Sequence, residues 1–387
     1  MMQDAPLFLP DRTLRQAAKT LGTPFVLYDA AGLRRRAGQA RAAFGWSAGF
    51  SLRIPIWLNP NPTVLQVLRA AGCGVVCTTA AELRLAQRCG FAGAQVCYAP
   101  RLPDAAGEAL AEALDAIFLI DDPALRPGYL PRQVLLRVCP GGKLLWRGRT
   151  AVQTEKSRCG MQPREAELLA AYYCVQGVET GLSLWLAEND APPELYPAEA
   201  LWMLDWMRAF RERTGQRLIC CDLGPGPGIA RRTGEQDADL AEIAAQVRAC
   251  AGAETVRFSA APGSWLMAGQ GVLLARAAMV RRRERPLVIL DADCSVLPRF
   301  AAGYPIDVLG KRNTDVRRLC LCDVAGCGPD LRGRLAERCV LPPVSPGDLL
   351  AVRLVGASLC GDIPACLLTE DGEIIPASQL TEASPSE

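Results

Sequence analysis

The sequence predicts an α/β protein, a (β/α)8 TIM-like barrel followed by a C-terminal all-β domain of barrel or sandwich character. Three observations predict it. From residue 24 to about 258, short apolar runs alternate with Ala- and Arg-rich amphipathic segments, the pattern of βα units on a parallel sheet. The units approach eight in number, and their span suits a closed barrel. Past residue 259 helical periodicity fades, and strand-like runs between Gly/Pro turns replace it.

Taken in order, FVLYD (25–29) reads as a buried strand and residues 31–46 as a helix. IPIWLN (54–59) reads as the next strand, and TVLQVLRAAG (63–72) as a helix closed by Gly72. GVVCT (74–78), AQVCYA (94–99), AIFLI (116–120) and QVLLRVC (133–139) read as strands, with helices over 80–90 and 105–114. GLSLWLA (181–187) and RLICCDLG (217–224) continue the strands, with helices over 197–212 and 236–251. GVLLARAAMV (271–280), PLVILDAD (286–293) and DLLAVRLVG (348–356) belong to the β-module. From about residue 377 the chain is a polar tail, expected to be frayed.

The length, 387 residues, suits one barrel plus a further module. Basic and acidic side chains number 43 and 41, so net charge offers no reason to expect nucleic acid or an anionic membrane as partner. Histidine is absent, which excludes His-based triads, His-liganded zinc or haem, and imidazole proton shuttles. Only Lys19, Lys143, Lys156 and Lys311 carry an amine, and a guanidinium cannot replace one in a Schiff base. The 17 cysteines are scattered, and the close pairs Cys220/Cys221, Cys320/Cys322 and Cys73/Cys77 are not C-x-x-C motifs. A reduced, cytoplasmic protein using cysteine as a small apolar residue is expected. The start MMQDAPLFLPDR lacks a basic, apolar leader, and no apolar run reaches the ~18 residues of a membrane span.

Several segments then appear in a telling order: TPFVLYDAAGLRRR; LNPNPTVLQVLRAAGCGVVCTTAAEL (58–83) with Asn59, Asn61 and Glu82; EKSRCGM (155–161); DLGPGPGIA (222–230); APGSWLMAGQGVL (261–273); GCGPD (326–330), PGDLLAV and GAS (356–358). In this order they resemble the fold-type III, pyridoxal-phosphate (PLP)-dependent decarboxylases, the group of diaminopimelate, ornithine and arginine decarboxylases, over residues 23–366. The resemblance implies an alanine-racemase-like barrel over 24–258, with residues 1–23 and 259–387 forming the β-domain. It also implies PLP as cofactor, a carboxy-lyase activity in amino-acid metabolism, and a dimer whose active sites form across the two-fold interface.

At the positions that match the family's functional residues, this chain carries other groups. The cofactor lysine falls at Trp57, or at Arg53 if a short insertion shifts the register. The histidine that stacks on the pyridine ring falls at Trp185, and the glutamate that bonds the pyridine nitrogen at Ala261. The substrate-side arginine falls at Ser264 and the late tyrosine at Ser358. PLP chemistry needs an amine to hold and release the cofactor and a carboxylate to keep its ring an electron sink. Two indoles at facing strand ends are instead expected to fill the cofactor's volume, or to form a new aromatic binding site.

Other positions keep part of the pattern. Gly224, Gly226 and Gly228 have the spacing of a phosphate-cradling turn at a helix start, or form a plain strand-to-helix turn. Pro225 and Pro227 remove two N–H donors from it. Cys327 lies near the position of the family's catalytic cysteine, and Arg299 resembles its carboxylate-holding arginine; both also read as ordinary residues. Lys143 and Lys156 read as solvated charges or as substitute Schiff-base lysines, and the run RRRER (281–285) as a solvated turn or an anion patch.

These residues favour a catalytically inactive relative of the decarboxylases, a pseudoenzyme with a regulatory or interaction role. PLP is then not covalently bound, or no cofactor is used. Its partner is a second copy or an active paralogue. Two other readings stay open: an active PLP-dependent lyase with a rebuilt site, and a non-catalytic module that binds a phosphorylated ligand.

Overall fold

The computed structural model describes residues 7–140, 159–186, 192–231, 235–295, 297–298, 303–311, 319–329, 334–358 and 361–381. The chain divides into a barrel unit, Arg34–Ile229 with Asp237–Trp265, and a β unit, Met1–Leu33, Ala230–Gln236 and Leu266–Glu387. It begins with helix Asp11–Leu21 (α1), strand Phe25–Asp29 (β1) and helix Ala30–Ala43 (α2).

The barrel is built from eight short strands: Ser51–Pro55 (β2), Gly74–Cys77 (β3), Val96–Tyr98 (β4), Ile117–Ile120 (β5), Gln133–Arg137 (β6), Glu179–Ser183 (β7), Cys220–Asp222 (β8) and Arg257–Ala260 (β9). Each pairs parallel with the next, and β9 closes on β2, where Ser259 lies opposite Ser51. Helices Pro62–Ala70 (α3), Ala80–Arg88 (α4), Ala105–Ala113 (α5), Pro163–Val175 (α6), Leu195–Thr214 (α7) and Leu240–Ala251 (α8) connect these strands. Between β5 and β6 the described helical element is a 3-10 turn, Pro123–Leu125. Both faces of β5 and β6 are buried, which explains their unbroken apolar runs. Side chains of Cys97 on β4 and Cys220 on β8 share a cluster with Ile117, Leu119 and Leu135. Strands on opposite sides of the barrel meet only through its interior, so this cluster is the barrel's filling.

The β unit follows a short helix, Gly263–Met267 (α9), and adds Gly271–Arg281 (β10), Leu287–Leu290 (β11), Ile306–Val308 (β12), Cys320–Ala325 (β13), Arg334–Leu341 (β14), Leu349–Arg353 (β15), Ala365–Leu368 (β16) and Ile374–Pro376 (β17). Its mixed sheet runs β14-β13-β11-β10-β1-β16-β17, with β15 also on β10 and β12 on β15. Leu14, Ala17 and Ala18 of α1 pack with Phe25, Leu27, Val272, Leu274 and Ala351 in one core.

The structure departs from the sequence reading in four places. Strand β1, read as the first barrel strand, pairs antiparallel with β10 and parallel with β16. All five of its residues are buried, so it carries the same apolar run that a barrel strand needs. The barrel therefore begins at Ser51 rather than near 24, and its last strand ends at Ala260. The strand expected at 54–59 is Ser51–Pro55, and residues 56–58 turn out of it as a 3-10 helix. The β unit also contains α1, and the polar tail opens with a helix, Ala377–Thr381 (α10). Among the described residues, no helix is long and apolar enough to cross a membrane.

Candidate functional site at the carboxyl ends of the barrel strands

In a (β/α)8 barrel, chemistry collects where strands end and loops begin. After β2 the chain turns through Ile56–Leu58, which sets Trp57 half-buried just past the strand. The turn is held by the asparagines that follow. The Asn61 N–H donates to Asn59 Oδ1 (3.1 Å), and Asn61 Oδ1 accepts from the N–H groups of Thr63 and Val64 (2.9 and 3.4 Å). The N-P-N-P stretch thus caps α3.

Trp185 lies two residues beyond β7 and is 7% exposed. The Arg137 guanidinium stands 4.9 Å from its ring centroid, and that of Arg101 stands 5.2 Å away. Both are cation–π distances. Arg137 ends β6, 3.4 Å from the Asp121 carboxylate. Asp121 Oδ1 also accepts from the Gly160 N–H (3.0 Å) and the Cys159 thiol (3.5 Å). Burial works against the Arg137 charge, but Cys159, Asp121 and Asp222 together hold its pKa above the ordinary value. Burial pushes the Cys159 thiol up to about 11 in spite of Arg137, so it is protonated at neutral pH.

The strand register sets a polar row beside this group. Arg137 lies opposite Ser183, Ser183 opposite Asp222, and Asp222 opposite Ser259. The hydroxyls of Ser183 and Ser259 donate to the two Asp222 carboxylate oxygens at 2.7 and 2.6 Å. Arg53, mid-strand in β2, is buried. Burial raises the thiols of Cys97 and Cys220 to about 11, against the pull of Arg53 on each. Arg53 therefore belongs to the barrel's interior. Glu199 on α7 accepts from the Leu186 N–H at 3.3 Å. Burial raises its pKa to about 8, so it stays protonated at neutral pH.

The glycine loop is tightly packed. Gly224 has φ +62°, and a Cβ there would overlap the Leu184 carbonyl; a Cβ on Gly226 would overlap the Pro262 ring. The Ala261 N–H donates to the Gly224 carbonyl at 2.8 Å. The turn was expected to open a helix. Instead α8 begins at Leu240, capped by Asp239, well after Gly228. Ala261 is buried and Ser264 half-buried on α9, where Gly263 lets the chain pass Leu58 Cδ1, 2.6 Å from where a Cβ would stand.

The residues singled out in the sequence thus divide between the units. Trp57, Trp185, Ala261, Ser264 and the glycine loop lie in the barrel unit, and Cys327 and Ser358 in the β unit. Cys327 is exposed, with its N–H on the Ala292 carbonyl (2.9 Å), and Ser358 is buried. Arg299, Lys143 and Lys156 lie outside the described residues. The run 281–285 is more than a solvated turn, since Arg285 pairs with Asp323 at 2.8 Å. Sequence reading missed Arg137, Asp121, Asp222 and Glu199. The available signal was a charged residue closing an otherwise apolar strand, as in LLRVC and CCDLG.

An eight-stranded parallel barrel with a separate mixed sheet, and charged side chains gathered at the strand ends, define an α/β-barrel protein with an added β unit. No model of a known protein family matches the chain. It is 26% identical over 366 residues to a diaminopimelate decarboxylase of Deinococcus radiodurans, covering 90% of this chain and 88% of that protein. It is likewise 26% identical to Protein TabA of Pseudomonas amygdali pv. tabaci, over 94% and 90% of the two chains. The crystal structure of diaminopimelate decarboxylase from Helicobacter pylori complexed with L-lysine shares the fold, at TM-score 0.81 and 17% identity over 94% of this chain and 95% of that one. Over nearly its whole length the chain is thus similar in sequence to diaminopimelate decarboxylases, and it shares the fold of a solved one.

Proposed function

We propose that this chain is a non-catalytic member of its family, with a barrel end closed by its own side chains and a regulatory or interaction role. One observation carries the reading: Trp185 is buried against the guanidiniums of Arg137 and Arg101 at the strand ends. The residues there do not fit PLP. The position after β2 holds an indole at Trp57 where an amine is needed to hold the cofactor. Ala261 offers no carboxylate to a pyridine nitrogen. Buried thiols such as Cys159 stay protonated at neutral pH and are no substitute nucleophile. The partner is a second copy of the chain or an active paralogue, as the family's two-fold sites suggest.

The test is release of CO2 from diaminopimelate, ornithine, lysine and arginine by the purified chain with added PLP. Release no faster than from PLP without protein is the expected result. Turnover of any of the four that is lost on heat denaturation overturns the proposal and restores an active lyase with a rebuilt site.

A further inference from the structure

We infer that Cys322 and Cys339 are a redox site, a dithiol that closes reversibly into a cross-strand disulfide. The two residues face each other on the antiparallel strands β13 and β14, with their sulfur atoms 3.7 Å apart. This juxtaposition does not follow from regular pairing. Val324 lies opposite Ala336, so an undistorted ladder would set Arg338 opposite Cys322. Instead two residues, Glu337 and Arg338, oppose the single Asp323, a β-bulge that brings Cys339 round to Cys322.

Specific groups hold the bulge. Arg338 adopts φ +53°, a left-handed conformation that non-glycine residues rarely take. Its N–H donates to Asp323 Oδ1 at 2.9 Å. The Asp323 carboxylate is in turn paired with Arg285 (2.8 Å) and Arg334 (3.5 Å). Strained backbone and a buried carboxylate with three partners together serve one outcome, thiol facing thiol.

The pair also has the chemistry for oxidation. Cys322 is 3% exposed, whereas Cys339 is half-buried on β14, the last strand in the sheet order. The Cys339 thiol donates to the Cys322 carbonyl at 3.1 Å, and its contact with the Cys322 sulfur lowers that thiol's pKa from the ordinary value, against burial and the nearby Asp323 charge. The oxidant is a small peroxide. The Cys322 thiolate attacks one peroxide oxygen, the O–O bond breaks, and a sulfenic acid and hydroxide form, the hydroxide taking up a proton to become water. The Cys339 thiol then attacks the sulfenic sulfur; the S–S bond forms and a second water leaves. Two electrons pass from the thiols to the peroxide, and a dithiol reductant reverses the change.

The experiment is stoichiometric hydrogen peroxide on the fully reduced chain, alkylation of remaining thiols, and fragment-ion mapping of unreduced peptides. A single Cys322–Cys339 crosslink, lost on adding dithiothreitol, is expected. Cys320→Ser should retain it and Cys339→Ser should abolish it, each with the melting temperature of the reduced wild-type chain as a check on folding. A crosslink through Cys320 or Cys327, a link between two chains, or separate alkylation of both thiols after peroxide overturns the inference.

Discussion

The Arg137 guanidinium stacks 4.9 Å from the ring centroid of Trp185, while 3.4 Å from the Asp121 carboxylate. One buried cation thus joins the end of β6 to the loop after β5 and to the indole just past β7. Arg101 stands against the same indole at 5.2 Å. A ring held in this way resists displacement, because moving it exposes a large apolar surface and separates it from two cations.

Removing the cation should therefore cost stability. Arg137→Met removes the cation beside the half-buried Asp121 carboxylate and the buried Cys159 thiol, a change that costs about 3–5 kcal/mol when a buried pair is broken. Urea unfolding checks it; a loss below about 1 kcal/mol contradicts a central role for Arg137.

Trp185→Ala should also destabilise, by about 3–5 kcal/mol, as expected for truncating a large buried aromatic. Trp185→His should cost less because a ring still occupies the site. The ordering of the two variants in thermal unfolding is the measurement.

Glu199 makes stability depend on pH in a defined direction. Its folded pKa of about 8 lies above the ordinary 4.5, so the folded state keeps a proton that the unfolded state has lost. Stability therefore falls as pH rises from about 4.5 to about 8, by up to ~1.4 kcal/mol per pH unit from this group. Glu199→Gln should remove that part of the slope. Equal slopes for wild type and variant contradict the assignment.

Gly226→Ala should destabilise by about 1–3 kcal/mol through overpacking, because the added methyl overlaps Pro262. If the loop's glycines serve packing, inorganic phosphate should leave the melting temperature unchanged in wild type and variant alike. Stabilisation of the wild type alone by phosphate favours an anion site at Gly224–Gly228.

Much of the fold was legible because a parallel strand buried on both faces must be apolar throughout, and its helices must be amphipathic. That same rule misplaced β1. FVLYD is buried on both faces in a mixed sheet, and local sequence does not say which strands flank it. Motif order singled out Trp57, Trp185 and Ala261, and the structure puts all three in the barrel unit. The Arg137–Asp121 and Ser183–Asp222–Ser259 contacts were not legible. They depend on neighbouring strands having one register, and register is a property of the closed barrel. Likewise, the meeting of Cys322 and Cys339 depends on a bulge at Arg338 that no residue pattern announces.

A barrel end closed in the proposed way should form no aldimine with PLP. The most direct measurement is a titration of the purified chain with PLP, followed by visible absorption, borohydride reduction and peptide mass mapping. The expected result is no absorption band of a protein-bound aldimine, no single pyridoxyl-lysine, and no change in melting temperature. Stoichiometric trapping at one lysine, whether Lys19, Lys143, Lys156 or Lys311, would contradict it.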